Sequence, residues 1–331
     1  MVPRFSKVRP CLDHDAESPP EQPVRYGCGP PSRARATRSR ALRQPKDALT
    51  PSAFSVQAAE QWALDRAATL PIDAFRLLAL WSVSFLVQAA PGERKTRYTM
   101  RIAQAEGYGR SGGLGPGLPD PDPDLVGEDT RRILRERLWR DDADRAAIAD
   151  LVIGQVSRPA DERIVLDDTL RGKYIARTKI FADEADRVLR RRGAEHRKDN
   201  RPRVLVVGAT AGILDALARR GLDVCATDLS PDVVGRTLGG VQVLDGKTAN
   251  VRLMKDADLT IVTGLSLTNG TLPDLMSLAK THNTSTIIWA ITGKNFGHYY
   301  TDHGVDSVIS DPSPFLLLPG SATIAIWRRQ V

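Results

Sequence analysis

Short apolar runs alternate with amphipathic stretches along the last third of the chain. Each run spans four to six mostly apolar residues and is followed by a turn rich in Gly, Asp, Thr or Pro. The runs are Val204–Val207, Val224–Thr227, Val241–Leu244, Leu259–Val262, Thr286–Ala290, Val305–Ile309 and Ala322–Trp327. Such runs are typical of strands buried on both faces, and their alternation with helices predicts a mainly parallel sheet. The pattern therefore predicts the α/β class, with a Rossmann-like three-layer domain over residues 199–331.

The preceding region, residues 51–198, has a different pattern that predicts helices. Small apolar residues recur at helical spacing from Val56 to Ala67. After a break at Pro71 the chain is strongly apolar, and a second helix is predicted through Phe75, Leu78, Phe85 and Leu86. The other elements predicted here are a flexible connection or lid at 107–124, rich in Gly and Pro, and helices near 127–140, 142–156 and 178–192.

Residues 1–50 are rich in Pro, Arg and Ser and contain few large apolar residues after Tyr26. This composition predicts a disordered tail, because too little apolar surface is available to offset the entropy of ordering. The segment holds ten Arg and Lys against five Asp and Glu, and so carries +5 of the net charge of +7. The remainder is close to neutral, which favours a basic tail over a core that binds nucleic acid.

The sequence predicts a cytoplasmic protein without a membrane partner. Its longest apolar run, Leu77–Ala90, is shorter than the roughly 18 residues of a membrane span. The segment Met1–Pro10 lacks the apolar run of a secretory signal. Three cysteines give neither a disulfide framework nor a paired-Cys zinc pattern.

Four loops of the predicted sheet are candidate binding loops, because ligands of such sheets bind beyond the carboxyl ends of the strands. The first contains Gly208, Thr210 and Gly212 and opens a helix whose free N–H groups suit a phosphate or carboxylate. Asp228 ends the next strand, 20 positions after Gly208, where an acidic residue can accept hydrogen bonds from a ribose. Two structural alternatives stay open: a strand–helix turn without a nucleotide, and an Asp that caps its own turn.

The third loop brings Thr263, Gly264, Asn269 and Thr271 to the start of a helix. Hydroxyl, amide and backbone donors would converge there, which suits an anion or an amino-acid carboxylate. Helix capping alone explains part of this pattern. The fourth loop adds Lys294, a mobile positive charge at the edge of the crevice.

Two histidines, His298 and His303, follow the fourth loop on either side of Asp302. On a helix a spacing of five places two side chains about 140° apart, so a divalent metal could bind this group only if the segment bends. Surface or capping histidines are the alternative interpretation.

The segment Ala257–Pro314 resembles the Rossmann-like heavy-metal chelation family, a domain of unknown function. The likeness rests on Val262-Thr263-Gly264, on Thr268-Asn269-Gly270-Thr271 opening a helix, on Thr292-Gly293, and on Tyr300-x-x-His303-Gly304-Val305-Asp306. It covers the C-terminal domain only and implies a binding function. The smaller α/β domain that usually precedes the Rossmann part is not apparent, because residues 52–192 have a helical pattern.

Two functions are compatible with these features, and whether the protein is an enzyme stays open. The first is a binding protein for a small anionic metabolite or a metal complex, held by Gly264, Asn269, Thr271 and Lys294. The second is an S-adenosylmethionine-dependent transferase acting on a small molecule, in which the helical region covers the substrate and the cofactor lies against Gly208, Gly212 and Asp228. S-adenosylmethionine and a divalent metal are thus the cofactors considered. A homodimer is an open alternative, and nucleic acid bound by the Arg-rich tail is the weakest hypothesis.

Overall fold

The computed structural model describes residues 52–71, 73–87, 96–114, 118–136, 142–193, 201–312 and 318–330. The predicted disordered tail, residues 1–50, lies outside these ranges. Within them no helix is long and apolar enough to cross a membrane.

A nine-stranded sheet forms the centre of the fold. In spatial order its strands are β4 (Glu162–Leu166), β12 (Ala322–Arg328), β11 (Ser307–Ser310), β10 (Ser285–Ala290), β9 (Leu259–Thr263), β5 (Arg203–Val207), β6 (Asp223–Asp228), β8 (Val241–Asp245) and β7 (Thr237–Leu238). The six strands from β11 to β8 are mutually parallel, whereas β12 is antiparallel to β11 and β4, and β7 is antiparallel to β8. The predicted α/β class with a mainly parallel sheet is confirmed.

Helices cover both faces of this sheet, which explains why its strands are apolar at successive positions. In β5, Leu205 and Val207 face one apolar core, while Val204 and Val206 face the other. The second core is closed by α4 (Leu170–Arg191) and α5 (Ala211–Arg219), and the first by α6 (Gly246–Lys255), α7 (Leu265–Thr268), α8 (Leu272–Thr281) and α9 (Gly297–Asp302).

A second, smaller sheet precedes the large one. Its strands β1 (Ala79–Val87), β2 (Thr96–Gln104) and β3 (Tyr108–Leu114) form an antiparallel meander. Helices α1 (Val56–Ala67), α2 (Thr130–Glu136) and α3 (Asp142–Val156) accompany it, with short 3-10 turns at Asp73–Phe75 and Pro123–Leu125. A small α/β unit therefore does precede the Rossmann-like part.

The helix predicted through Phe75 to Leu86 is wrong, because this stretch is mainly strand β1. Exposure alternates over residues 81–86, with Ser82, Ser84 and Leu86 on the exposed face. The two serines give the two-residue period of a strand, but the apolar residues on either side of them favour a helix when the pattern is taken as a whole.

The flexible connection predicted at 107–124 is also wrong over its first part, which is strand β3. Its glycines are needed for packing: a Cβ at Gly109 would lie 2.1 Å from the carbonyl oxygen of Ala147 in α3. Glycine here allows close backbone approach rather than a turn.

The helices predicted near 127–140, 142–156 and 178–192 are confirmed as α2, α3 and the second half of α4. The predicted domain boundary at residue 199 stays a prediction. Strand β4 and helix α4 precede that position and belong to the layers of the large sheet.

Candidate ligand-binding site

The first and third predicted loops meet where β5 lies beside β9. Gly208 follows β5 with a φ of +91°, and a Cβ there would lie 2.6 Å from Cγ2 of Thr263 at the end of β9. The chain adds β6 on one side of β5 and β9 on the other, so this is a switch point of the sheet. The structure thus brings Gly208 and Thr263 into contact at the carboxyl edge.

Asp228 joins the first loop to the second. Its Oδ2 accepts a hydrogen bond from the backbone N–H of Ala209 at 3.0 Å, and its Oδ1 accepts one from Ser230 N–H at 2.8 Å. The carboxylate therefore holds two turns in place. A role in binding a ribose stays a prediction.

The start of helix α5 is partly covered by helix α4. Thr210 is the N-cap residue of α5, but its side chain makes no capping hydrogen bond. A Cβ at Gly212 would lie 2.2 Å from the hydroxyl oxygen of Tyr174 in α4. Tyr174, which the sequence pattern did not single out, thus lies against the predicted anion-binding turn.

The residues of the third loop lie in two different environments. Gly264 donates its N–H to the carbonyl oxygen of Trp289 at 2.7 Å, and a Cβ there would lie 2.5 Å from the carbonyl oxygen of Thr292. It therefore lies against the fourth loop. Asn269 instead accepts hydrogen bonds from the N–H and hydroxyl of Thr271, at 3.1 and 2.7 Å, in an exposed local turn. That pair does not line the cavity described next.

A cavity of about 420 Å³ lies beyond the carboxyl ends of β10 and β11, next to the fourth loop. Its wall combines β3, the end of α3, β4 and β12 with that loop. The lining residues are Tyr108, Arg110, Gly154, Ser157, Arg158, Pro159, Arg163, Lys294, Asn295, Ser310, Pro312, Thr323, Ala325 and Trp327. Of the predicted site residues, Lys294 alone is in this list.

Lys294 places its ammonium group on an aromatic face inside the cavity wall. Its Nζ lies 3.3 Å from the centroid of the Tyr108 ring, a cation–π contact. Burial, reinforced by the positive charge of Arg110, lowers the pKa of Lys294 to about 7. The neighbouring carboxylate of Asp150 opposes this shift only in part.

Asp150 fixes the fourth loop to the small sheet. Its carboxylate is fully buried and accepts the backbone N–H of Arg110 and that of Asn295, both at 2.7 Å. Burial raises the pKa of Asp150 to about 6, although Lys294 and the two N–H donors pull it down. The Asp150 side chain therefore positions Arg110 directly and Lys294 through the adjacent residue Asn295.

The cavity is positively charged. Besides Lys294 it is lined by the buried Arg110, the exposed Arg163 and the half-buried Arg158, and none of the described lining residues is Asp or Glu. Arg158 is paired with Asp161 at 2.8 Å. Arg163 makes no ion pair within the described part of the chain, so its charge faces the cavity mouth.

Sequence reasoning missed the three arginines because no local motif marks them. Arg110 lies on β3 and Arg163 on β4, two strands that the hydrophobic pattern did not predict. The available signal was chemical: Arg110 is a charged residue inside a Gly-rich, otherwise uncharged run from Gly107 to Pro119.

The two predicted metal ligands lie on and just after α9, beside the cavity wall. His298 Nδ1 accepts the backbone N–H of Arg158 at 3.0 Å, and its Nε2 lies 3.4 Å from Asp302. His303 Nδ1 lies 2.7 Å from the carbonyl oxygen of Tyr299. Among the described residues no group of three or more His, Cys, Asp or Glu could hold a metal ion. A metal-binding role of the two histidines stays a prediction.

The C-terminal part of the chain is similar to a known protein family. Residues 194–308 match the family model DUF364, described as "Putative heavy-metal chelation". Two solved structures of proteins with unknown function from this family are similar. The one from Desulfitobacterium hafniense DCB-2 is 14% identical over 82% of this chain and 98% of its own, with a TM-score of 0.43. The one from Pyrococcus horikoshii is 11% identical over 82% and 99%, also with a TM-score of 0.43.

The comparison with curated proteins gives no match. The family match spans β5 to β11 and includes the candidate loops of the large sheet. Residues 194–308 of this chain are therefore similar to the DUF364 family, as the resemblance in the C-terminal sequence predicted.

Proposed function

We propose that the protein binds a small anion carrying two or more negative charges in the cavity beside Lys294. The observation that carries the proposal is the charge of the wall: Lys294, Arg110, Arg158 and Arg163 line it, without a described carboxylate among the lining residues. A volume of about 420 Å³ suits a small metabolite. Arg158 is paired with Asp161, so an anion would interact mainly with the charges of Lys294 and Arg163, which make no ion pair within the described part of the chain.

A bare heavy-metal ion fits this wall poorly. The lining residues offer no thiolate, imidazole or carboxylate among those described, and these groups are the usual ligands of transition metals. The chelation named in the family description is therefore compatible with our proposal only if the metal binds as an anionic complex with a chelator. In that case the cavity would bind the acidic groups of the chelator rather than the metal.

The transferase alternative stays a prediction. Each oxygen of Asp228 already accepts a backbone N–H, and the family match carries no transferase description. Our proposal therefore rests on the cavity and not on the turn after β5.

Isothermal titration calorimetry with citrate, glutarate and inorganic phosphate tests the proposal. Arg163→Gln removes one charge from the cavity mouth without disturbing a described ion pair, so the fold should be unaffected. We expect this change to weaken the best-bound probe about tenfold, the size of one partly exposed charge-assisted hydrogen bond.

The matched control is Arg219→Gln, which removes one charge from the surface of α5, where the Arg219 side chain is 79% exposed. It should leave the affinity unchanged. Equal losses in both variants would mean that only the overall charge matters, and absence of binding by all three probes would reject an anion site here.

A further inference from the structure

We propose that Lys294 forms a covalent imine with the carbonyl carbon of a small oxo acid held in the cavity. The proposal rests on the proposed function, because the same arginines would bind the acid group. It adds a chemical step that simple anion binding does not need.

Lys294 is half-buried and differs from a fully buried lysine in its contacts. The buried Lys173 donates its ammonium protons to the carbonyl oxygens of Leu318 and Gly320, both at 2.8 Å. Lys294 has an aromatic face at 3.3 Å instead, and no described carboxylate lies within ion-pair distance of its Nζ. Its amine is therefore held at the cavity wall by a contact that leaves the N–H groups available for a ligand.

The surroundings also favour the neutral amine, which is the nucleophilic form. Burial and the charge of Arg110 lower the pKa of Lys294 to about 7, so near neutral pH a large fraction of the group is deprotonated. Lysines desolvated beside another cation are activated in this way. The same positive wall would attract the acid group of the substrate and direct its carbonyl to the amine.

The chemical step is balanced without a metal or a redox partner. The amine lone pair attacks the carbonyl carbon, and the amine proton moves to the carbonyl oxygen to give a carbinolamine. Loss of that hydroxyl together with the remaining amine proton, as one water molecule, leaves a C=N bond between Lys294 and the substrate. Water reverses the step, so the imine is detected only when it is trapped.

Borohydride trapping tests the inference on the full chain. The protein is incubated with 2-oxoglutarate, pyruvate or glyoxylate, reduced, digested, and analysed by peptide mass spectrometry. We expect the reduced adduct at Lys294 to exceed that at the exposed Lys247 by roughly tenfold or more at pH 7, because far more of the Lys294 amine is neutral. Labelling at Lys294 should rise up to about pH 7 and then level off, because its amine is then largely neutral.

Two controls separate this inference from the proposed function. Glutarate has the acid groups of 2-oxoglutarate without the carbonyl, and so should compete for the site without labelling. Lys294→Arg cannot form an imine, so the adduct at position 294 should disappear while labelling at Lys247 stays unchanged. If glutarate binds but no oxo acid labels Lys294 more than Lys247, the imine is rejected while the anion site stands. If none of glutarate, citrate and inorganic phosphate binds and no oxo acid labels Lys294, both proposals are rejected.

Discussion

Asp228 has a structural role at a position where the sequence also predicts contact with a ligand. Its carboxylate accepts the N–H groups of Ala209 and Ser230 and so orders two turns at the carboxyl edge. We expect Asp228→Ala to lower the free energy of unfolding by about 2 kcal/mol, because two charge-assisted hydrogen bonds are lost. Urea unfolding monitored by circular dichroism measures this change.

The control for this prediction is Asp215→Ala, which removes an exposed carboxylate whose partner is Arg219, four positions away. Such a pair contributes about 0.5 kcal/mol or less. If the two variants were equally stable, Asp228 would have no structural role, and loss of a ligand in Asp228→Ala could be assigned to binding directly.

Prediction of single residues from the sequence succeeded where a residue lies at the end of a regular strand. Gly208 and Thr263 were placed together by the rule that parallel strands end at one edge, and the structure brings them into contact. Arg110 and Arg163 were not predicted, because their roles depend on which distant strand lies opposite them. A charged residue in an isolated sequence gives no sign of that neighbour.

At the scale of elements, the packing of β3 on α3 sets the inner wall of the cavity. Gly109 lies between Tyr108 and Arg110, and a Cβ there would meet the carbonyl oxygen of Ala147 at 2.1 Å and the amide nitrogen of Leu151 at 2.3 Å. Both are helix backbone atoms that cannot move aside. We expect Gly109→Ala to destabilise the protein by roughly 3 kcal/mol through overpacking, measured as a shift in the denaturant midpoint.

The same substitution at Gly107, two residues earlier, is the matched control, because the nearest atom there is the amide nitrogen of the Gln155 side chain at 3.0 Å. That side chain can rotate, so Gly107→Ala should cost much less. Similar losses of stability in both variants would show that β3 can move away from α3, and the cavity wall would then be less rigid than its contacts indicate.

Whole elements were predicted best where burial on both faces makes every position of a strand apolar. Strand β5, with Leu205 facing one core and Val206 the other, is unmistakable. Strand β1 has one exposed face, which carries Ser82, Ser84 and Leu86. Only the two serines mark the two-residue alternation, and the apolar residues around them favour a helix.

At the scale of the whole molecule, the cavity is built from segments far apart in the chain. The Asn295 side chain donates to the carbonyl oxygen of Tyr108 at 2.9 Å across 187 positions, and Asp150 links both segments. No local pattern encodes such contacts, so the site was predictable only as an edge of the large sheet. The cavity lies at that edge of the large sheet, and strand β3 of the small sheet completes its wall.

This assembly also predicts how ligand affinity depends on pH. Because burial raises the pKa of Asp150 to about 6, a negative charge appears behind the wall as pH rises through that value. Because the pKa of Lys294 is lowered to about 7, a positive charge then disappears from the wall. Both titrations make the cavity less positive as pH rises. The affinity for glutarate should therefore be highest at about pH 5.5 to 6 and should fall about tenfold by roughly pH 8.5, because one charge-assisted contact is lost.

Calorimetry across this pH range, compared with Lys294→Met, gives a direct measurement. The variant lacks the titrating amine, so it should bind more weakly at low pH and show a much smaller decline, which Asp150 alone would cause. A decline of equal size in the variant would assign the pH dependence to Asp150, and an affinity that rises with pH would contradict a cationic site. Because exposed arginines and lysines keep their charge over this range, a tenfold fall centred near pH 7 distinguishes a buried amine at the cavity wall from a general attraction between an anion and a basic surface.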